Sequence, residues 1–187
     1  ETLRKAAYFA DKALEISPDN YAAHHARGRI HIQTGELDQA ILRLKNAIAL
    51  NPSAAAVMMA LSNAFVYRGE VDEAIRVAEK AKHIDPFHPE WFHWDLAWAL
   101  WSKGLCDEAR TEMREMVNVP NQARLTKAAI EVCIGDLPAS RKTISNFSAN
   151  APNYTVSKDR KIRGRLYHNT SDLERWSDAL AQAGLPK

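Results

Sequence analysis

Between His88 and Trp101 the chain reads HPEWFHWDLAWALW, with Trp91, Trp94, Trp98 and Trp101 at steps of three, four and three residues. Steps of this size bring side chains to one face of an α-helix. A second stripe, Leu173, Trp176, Leu180 and Ala183, recurs near the C-terminus. Ser171, with Glu174 three residues on, predicts a capping box at its start, and Gly184 followed by Leu185 and Pro186 predicts its end. A shorter helix is expected before it, from Tyr154 to about Leu166.

Between these stripes the punctuation is periodic. Gly35-Glu-Leu-Asp-Gln-Ala40 recurs as Gly69-Glu-Val-Asp-Glu-Ala74, as Gly104-Leu-Cys-Asp-Glu-Ala109 and, degenerate, as Gly135-Asp-Leu-Pro-Ala-Ser140. The first step is 34 residues and the last is 31. Ala13 precedes Ser17-Pro18, Ala47 precedes Asn51-Pro52, and Ala81 precedes Asp85-Pro86. Glycine ends one helix and permits a tight turn, alanine allows two helices to approach, and the residue before proline leaves the helix. Each unit is therefore a helix hairpin.

This period and pattern resemble the tetratricopeptide repeat over most of the chain. The family's first-helix glycine is matched by Gly28 and replaced by Ser62 and Ala97; its aromatic falls at His31, Phe65 and Leu100. Its small residue opening the second helix is Ala6, Ala40, Ala74 and Ala109, and its proline is Pro18, Pro52, Pro86 and Pro152. The resemblance implies an all-α superhelix, a solenoid of antiparallel hairpins with a C-terminal helical cap. Its divisions are a half repeat over 1–20, repeats over about 21–54, 55–88, 90–120 and 121–153, and capping helices over 154–187. One extra residue near Pro89 and the short last step imply a shortened or tilted final hairpin. The opening half repeat predicts a fragment whose array or further domain continues upstream. The ending Asp172-Leu-Glu-Arg-Trp-Ser-Asp-Ala-Leu-Ala-Gln-Ala-Gly-Leu-Pro186 resembles bacterial arrays that follow a class III adenylate or guanylate cyclase domain or a winged-helix regulator.

In such repeats the first helix lines the concave groove, so the resemblance places Trp91, Trp94, Trp98 and Trp101 on the groove stripe. His93, Leu96, Ala97 and Leu100 take the core positions. Met59, Asn63 and Tyr67 occupy the stripe one repeat earlier, and His25 and Arg29 the one before that. These nine residues are the candidate partner-binding set: aromatic anchors, with Asn63, Arg29 and His25 satisfying a bound segment's backbone or acidic groups. The clamp that grips a chaperone's C-terminal carboxylate finds only Asn63 and Arg29, with Ala56 and Ala60 where further polar groups are needed. Four exposed indoles, at roughly 150 to 250 Å² each, exceed the apolar patch of about 300 to 600 Å² that monomers usually expose. Two covers are open: the C-terminal helices folding back with Trp176, or a partner peptide, helix or second copy of the chain. A mixture would bury Trp98 and Trp101 under the cap and leave Trp91 and Trp94 at the mouth.

Composition narrows the remaining chemistry. With a formal charge of +2 over 187 residues, 46% apolar and 26% charged, no broad field for nucleic acid or membrane is implied. No apolar run reaches the roughly 18 to 20 residues of a membrane span. Cys106 and Cys133 lie in helical patterns rather than in a disulfide framework, which points to free thiols and a cytoplasmic setting. His24, His25 and His31, and His83, His88 and His93, lack the cysteine or acidic partners of a zinc site, so they read as structural or surface groups. No phosphate loop or nucleophile motif is present, and Asp72-Glu73 and Asp107-Glu108 complement helix dipoles. The basic segment Lys158-Asp-Arg-Lys-Ile-Arg-Gly-Arg165 reads as a solvated helix face. The expectation is a non-catalytic protein-interaction module without metal or cofactor, binding protein or peptide or a second copy of itself rather than nucleic acid, membrane or a small-molecule substrate. The alternative is the regulatory part of a nucleotide cyclase whose catalytic domain lies upstream.

Overall fold

The computed structural model describes residues 1–187. Eleven helices follow one another without a strand: α1 (Thr2–Ile16), α2 (Tyr21–Thr34), α3 (Leu37–Leu50), α4 (Ala55–Arg68), α5 (Val71–Ile84), α6 (Trp91–Lys103), α7 (Cys106–Arg114), α8 (Ala123–Cys133), α9 (Leu137–Asn150), α10 (Val156–Arg163) and α11 (Thr170–Gln182). Two compact units result, residues 1–88 and 89–187.

Within the first unit, α2 with α3 and α4 with α5 form antiparallel hairpins, and α1 packs on α2. Gly35 and Gly69 turn each hairpin in the left-handed region, at φ 81° and 87°, where a Cβ is disfavoured. Small residues twelve apart let the paired helices touch. Gly28 lies over α3 so closely that an added Cβ would sit 2.6 Å from Leu44 Cγ. In the next hairpin the Ser62 hydroxyl donates to the Ala74 carbonyl at 2.8 Å. Helix α4 is apolar on nearly all sides and packs against α2, α3 and α5, as an all-round apolar helix requires.

The second unit repeats this arrangement. Gly104 and Gly135 turn the hairpins α6–α7 and α8–α9, and the close approaches are Ala97 with Ala109 and Ala128 with Ser140, all four fully buried. The short step between the glycines falls on α7 and α8, which have 9 and 11 residues against 14 in α9. Helix α11 packs against α8 and α10, and the Val156 N–H donates to the Pro186 carbonyl at 2.7 Å, tying the chain end to the start of α10. Two terminal details differ from expectation. Helix α10 stops at Arg163, with the Thr155 hydroxyl accepting from Lys158 N–H as its cap. No capping box forms at Ser171 and Glu174: the helix already starts at Thr170, with Asn169 in the capping position and its side-chain amide directed to Asp172.

Candidate functional site

The tryptophans of α6 are held by residues of their own unit. Trp94 Nε1–H donates to Thr126 Oγ1 at 2.9 Å, and Trp101 Nε1–H donates to the Ala129 carbonyl at 3.1 Å, both on α8. Trp98 meets Tyr167 edge to face at 6.5 Å between ring centroids, and Trp101 meets Trp176 of α11 at 5.4 Å. Trp98 and Trp101 retain 6% and 4% exposure, while Trp91 keeps 37% and Trp94 is half-buried. The stripe is thus a packing seam in its inner half, reaching solvent mainly at Trp91. Met59, fully buried in α4, has no accessible surface either.

Trp176 is the centre of this closure and has no exposure. Its indole N–H donates to Asp159 Oδ2 at 2.7 Å, and the Arg163 guanidinium lies 4.5 Å from its ring centroid. The other Asp159 oxygen accepts from Tyr154 Oη at 2.7 Å and Arg163 Nε at 3.1 Å. A fully buried carboxylate survives in a core only when paired and hydrogen-bonded, and here three donors from two directions satisfy it. The basic segment is therefore divided: Lys158, Arg160, Lys161 and Arg165 are exposed, whereas Asp159 and Arg163 belong to the latch beneath α11.

Cys106 and Cys133 are joined by a disulfide, with Cα atoms 6.0 Å apart, which corrects the expectation of free thiols. Cys106 lies two residues after Gly104 and Cys133 two before Gly135. The turns of adjacent hairpins come to the same edge, and so do the two sulfurs.

In the first unit, the face formed by α2 and α4 carries the polar candidates. His25 and Arg29 stand one turn apart on α2, and Asn63 and Tyr67 one turn apart on α4, which touches α2. Arg29 is exposed, and His25, Asn63 and Tyr67 are each partly exposed. Burial first, and the Arg29 charge second, hold the His25 imidazole below its usual pKa, which favours its neutral form. Three of the other histidines serve the hairpins: His24 Nε2 contacts the Pro18 carbonyl at 2.9 Å, His31 pairs with Glu36, and His93 Nδ1 lies 2.7 Å from Glu112. No group of three His, Cys, Asp or Glu side chains is placed to hold a metal ion, and no helix is long and apolar enough to cross a membrane.

Tetratricopeptide-repeat models match residues 25–89 and 1–45. Tetratricopeptide repeat protein 33 of Homo sapiens is 29% identical over 96 residues, which cover 51% of this chain and 37% of that protein. The chain thus spans well under half the length of that relative. A thermophilic TPR protein of Thermus thermophilus superposes with a TM-score of 0.72 at 20% identity, covering 96% of this chain and 91% of that one. YrrB, described as a TPR protein with an unusual peptide-binding site, superposes with a TM-score of 0.60 at 18% identity over 93% and 90%. The repeat-model matches support the tetratricopeptide-repeat family over residues 1–89, and the solved structures share the all-helical fold of the whole chain.

Proposed function

We propose that this chain is a non-catalytic protein-interaction module that binds an extended peptide segment across the α2 and α4 face of its first unit. Tetratricopeptide-repeat proteins generally mediate protein–protein interactions, and a peptide-binding site is recorded for YrrB. The observation that carries the reading is the placement of polar residues on neighbouring first helices, exposed Arg29 with partly exposed His25, Asn63 and Tyr67, the His25 Nε2 and Asn63 Oδ1 atoms lying at the buried side of this face. Arg29 supplies a cation for an acidic side chain, and Asn63 and His25 supply hydrogen-bonding groups for a peptide backbone. Met59 forms part of the wall behind this face. In the second unit, Trp91 presents an accessible aromatic edge, partly exposed Trp94 lies beside it, and Trp98 and Trp101 serve as their packed support.

The test is selection from a phage-displayed library of random twelve-residue peptides on the full chain, followed by calorimetry on the enriched peptides. Enrichment of an acidic class that loses at least tenfold affinity with Arg29→Glu supports the reading. Failure to enrich such a class, or equal binding by the variant, overturns it. The finer context, a regulatory array attached to a nucleotide cyclase or winged-helix regulator, rests on the tail from Asp172 to Pro186. It is tested by whether the full-length parent protein carries cyclase or DNA-binding activity that changes when this region is deleted.

A further inference from the structure

Where α11 closes over α6 and α8, it leaves an open groove of about 490 Å³ in the second unit. One wall is apolar, built by Ala129, Val132 and the disulfide-bonded Cys133 of α8, with Trp101 at the base. The opposite wall is the outer face of α11, where Glu174 and Asp178 stand one turn apart and exposed.

The charges on this rim are unequal in what they have left to give. Arg175, the one cation of the lining, is already engaged: its guanidinium lies 4.9 Å from the Trp101 ring centroid and donates to the Ser102 carbonyl. Glu174 reaches only Arg160, at 3.5 Å with both side chains about half exposed, a pair that water weakens. Asp178 has no ion pair. Two carboxylates one turn apart repel each other on a helix, so a cation placed between them relieves a cost already present. Beside that cation, partly exposed Val132 and exposed Cys133 offer apolar surface whose burial favours an aliphatic side chain, with the packed Trp101 ring behind them. The volume falls in the range of about 300 to 1,000 Å³ typical of sites that enclose a ligand, and its open side suits a chain passing through rather than an enclosed small molecule. Anionic polymers and lipid surfaces meet the wrong charge here.

We propose that the groove between α8 and α11 is a second docking site, for a partner peptide carrying an aliphatic side chain with an arginine or lysine within one turn of it. The aliphatic group seats against Val132 and Cys133, and the cation lies between Glu174 and Asp178. This site is independent of the α2 and α4 face and opposite to it in charge preference.

The same phage-displayed library on the full chain tests it. The expected result is an enriched class combining Leu, Ile or Val with Arg or Lys. Its affinity should fall at least tenfold in Glu174→Lys/Asp178→Lys, fall less in Asp178→Asn, weaken with added salt, and stay unchanged in Arg29→Glu. Both substituted positions are exposed, and an unchanged circular-dichroism melt establishes that the variants remain folded. The proposal is overturned if no basic and aliphatic class is enriched, if that class binds the double variant as well as the parent, or if its binding depends on Arg29. Because the acidic class reports on Arg29 alone, either site can fail without the other.

Discussion

Replacing Trp176 by alanine removes the side chain that joins Trp101 of α6 to Asp159 and Arg163 of α10 in the C-terminal closure. Its ring is fully buried, stacks edge to face on Trp101, lies under Arg163 and donates to Asp159. Truncating a buried tryptophan costs about 3 to 5 kcal/mol. Leaving an Asp159 oxygen short of a donor adds about 1 to 3 kcal/mol. The sum, about 4 to 8 kcal/mol, rivals the total stability of a domain, about 5 to 15 kcal/mol. Trp176→Phe separates the two contributions, since it keeps most of the ring and loses the N–H, with an expected cost of about 1 to 3 kcal/mol. Urea unfolding should be followed by far-ultraviolet circular dichroism and by indole fluorescence together, because repeat arrays can unfold in segments. The expected outcome is a large loss for alanine, an intermediate loss for phenylalanine, and an indole transition that precedes the loss of helix. If both variants unfold within about 0.5 kcal/mol of the parent, the ordinary scatter of surface substitutions, α11 is not the closing element described here.

Three further outcomes follow from the same structure. Reducing the Cys106–Cys133 bond, or Cys133→Ser, should lower stability by about 3.5 kcal/mol, the loop-closure value for a separation of 27 residues; two freely alkylated thiols in the unreduced protein, with no melting shift on reduction, would dismiss the bond. Gly28→Ala gains helix propensity yet drives a Cβ to 2.6 Å from Leu44 Cγ, so the melt should show a net loss of about 1 to 3 kcal/mol, and a net gain would mean the α2 and α3 approach is looser than described. Burial raises the pKa of Glu131, so its folded value lies above its unfolded one and the protein loses stability as pH rises through that folded value. Glu131→Gln should therefore stabilise at pH 7 and change little below the unfolded carboxylate range near pH 4; equal urea midpoints at both pH values would contradict this.

The hairpins were legible because their determinants are local. Gly35, Gly69, Gly104, Gly135 and Gly184 all adopt positive φ, and the small residues between paired helices recur at a constant offset that even the degenerate fourth hairpin keeps through Ala128 and Ser140. The tryptophan stripe showed its helical face in the sequence, but what covers that face depends on where α11 folds, which no local pattern determines. Asp159 was hidden for the same reason: among basic neighbours it reads as one more exposed charge, and only its three donors distinguish it. The disulfide did leave a signal, since Cys106 and Cys133 flank the turn glycines of successive hairpins within two residues. That proximity follows from stacking the hairpins and not from cysteine spacing alone. At Ser171 and Asn169, two nearby residues could each cap the helix, and the choice depends on packing further along α11.

The most direct test of the central claim, that this chain's own C-terminal helix and not a partner covers the inner tryptophans, is acrylamide quenching of indole fluorescence with light scattering on the same sample. A monomer should emit at short wavelength, with one weakly quenchable component that disappears in Trp91→Phe. Uniformly quenchable, red-shifted emission from a monomer, or protection that appears only on dimerisation, would contradict it.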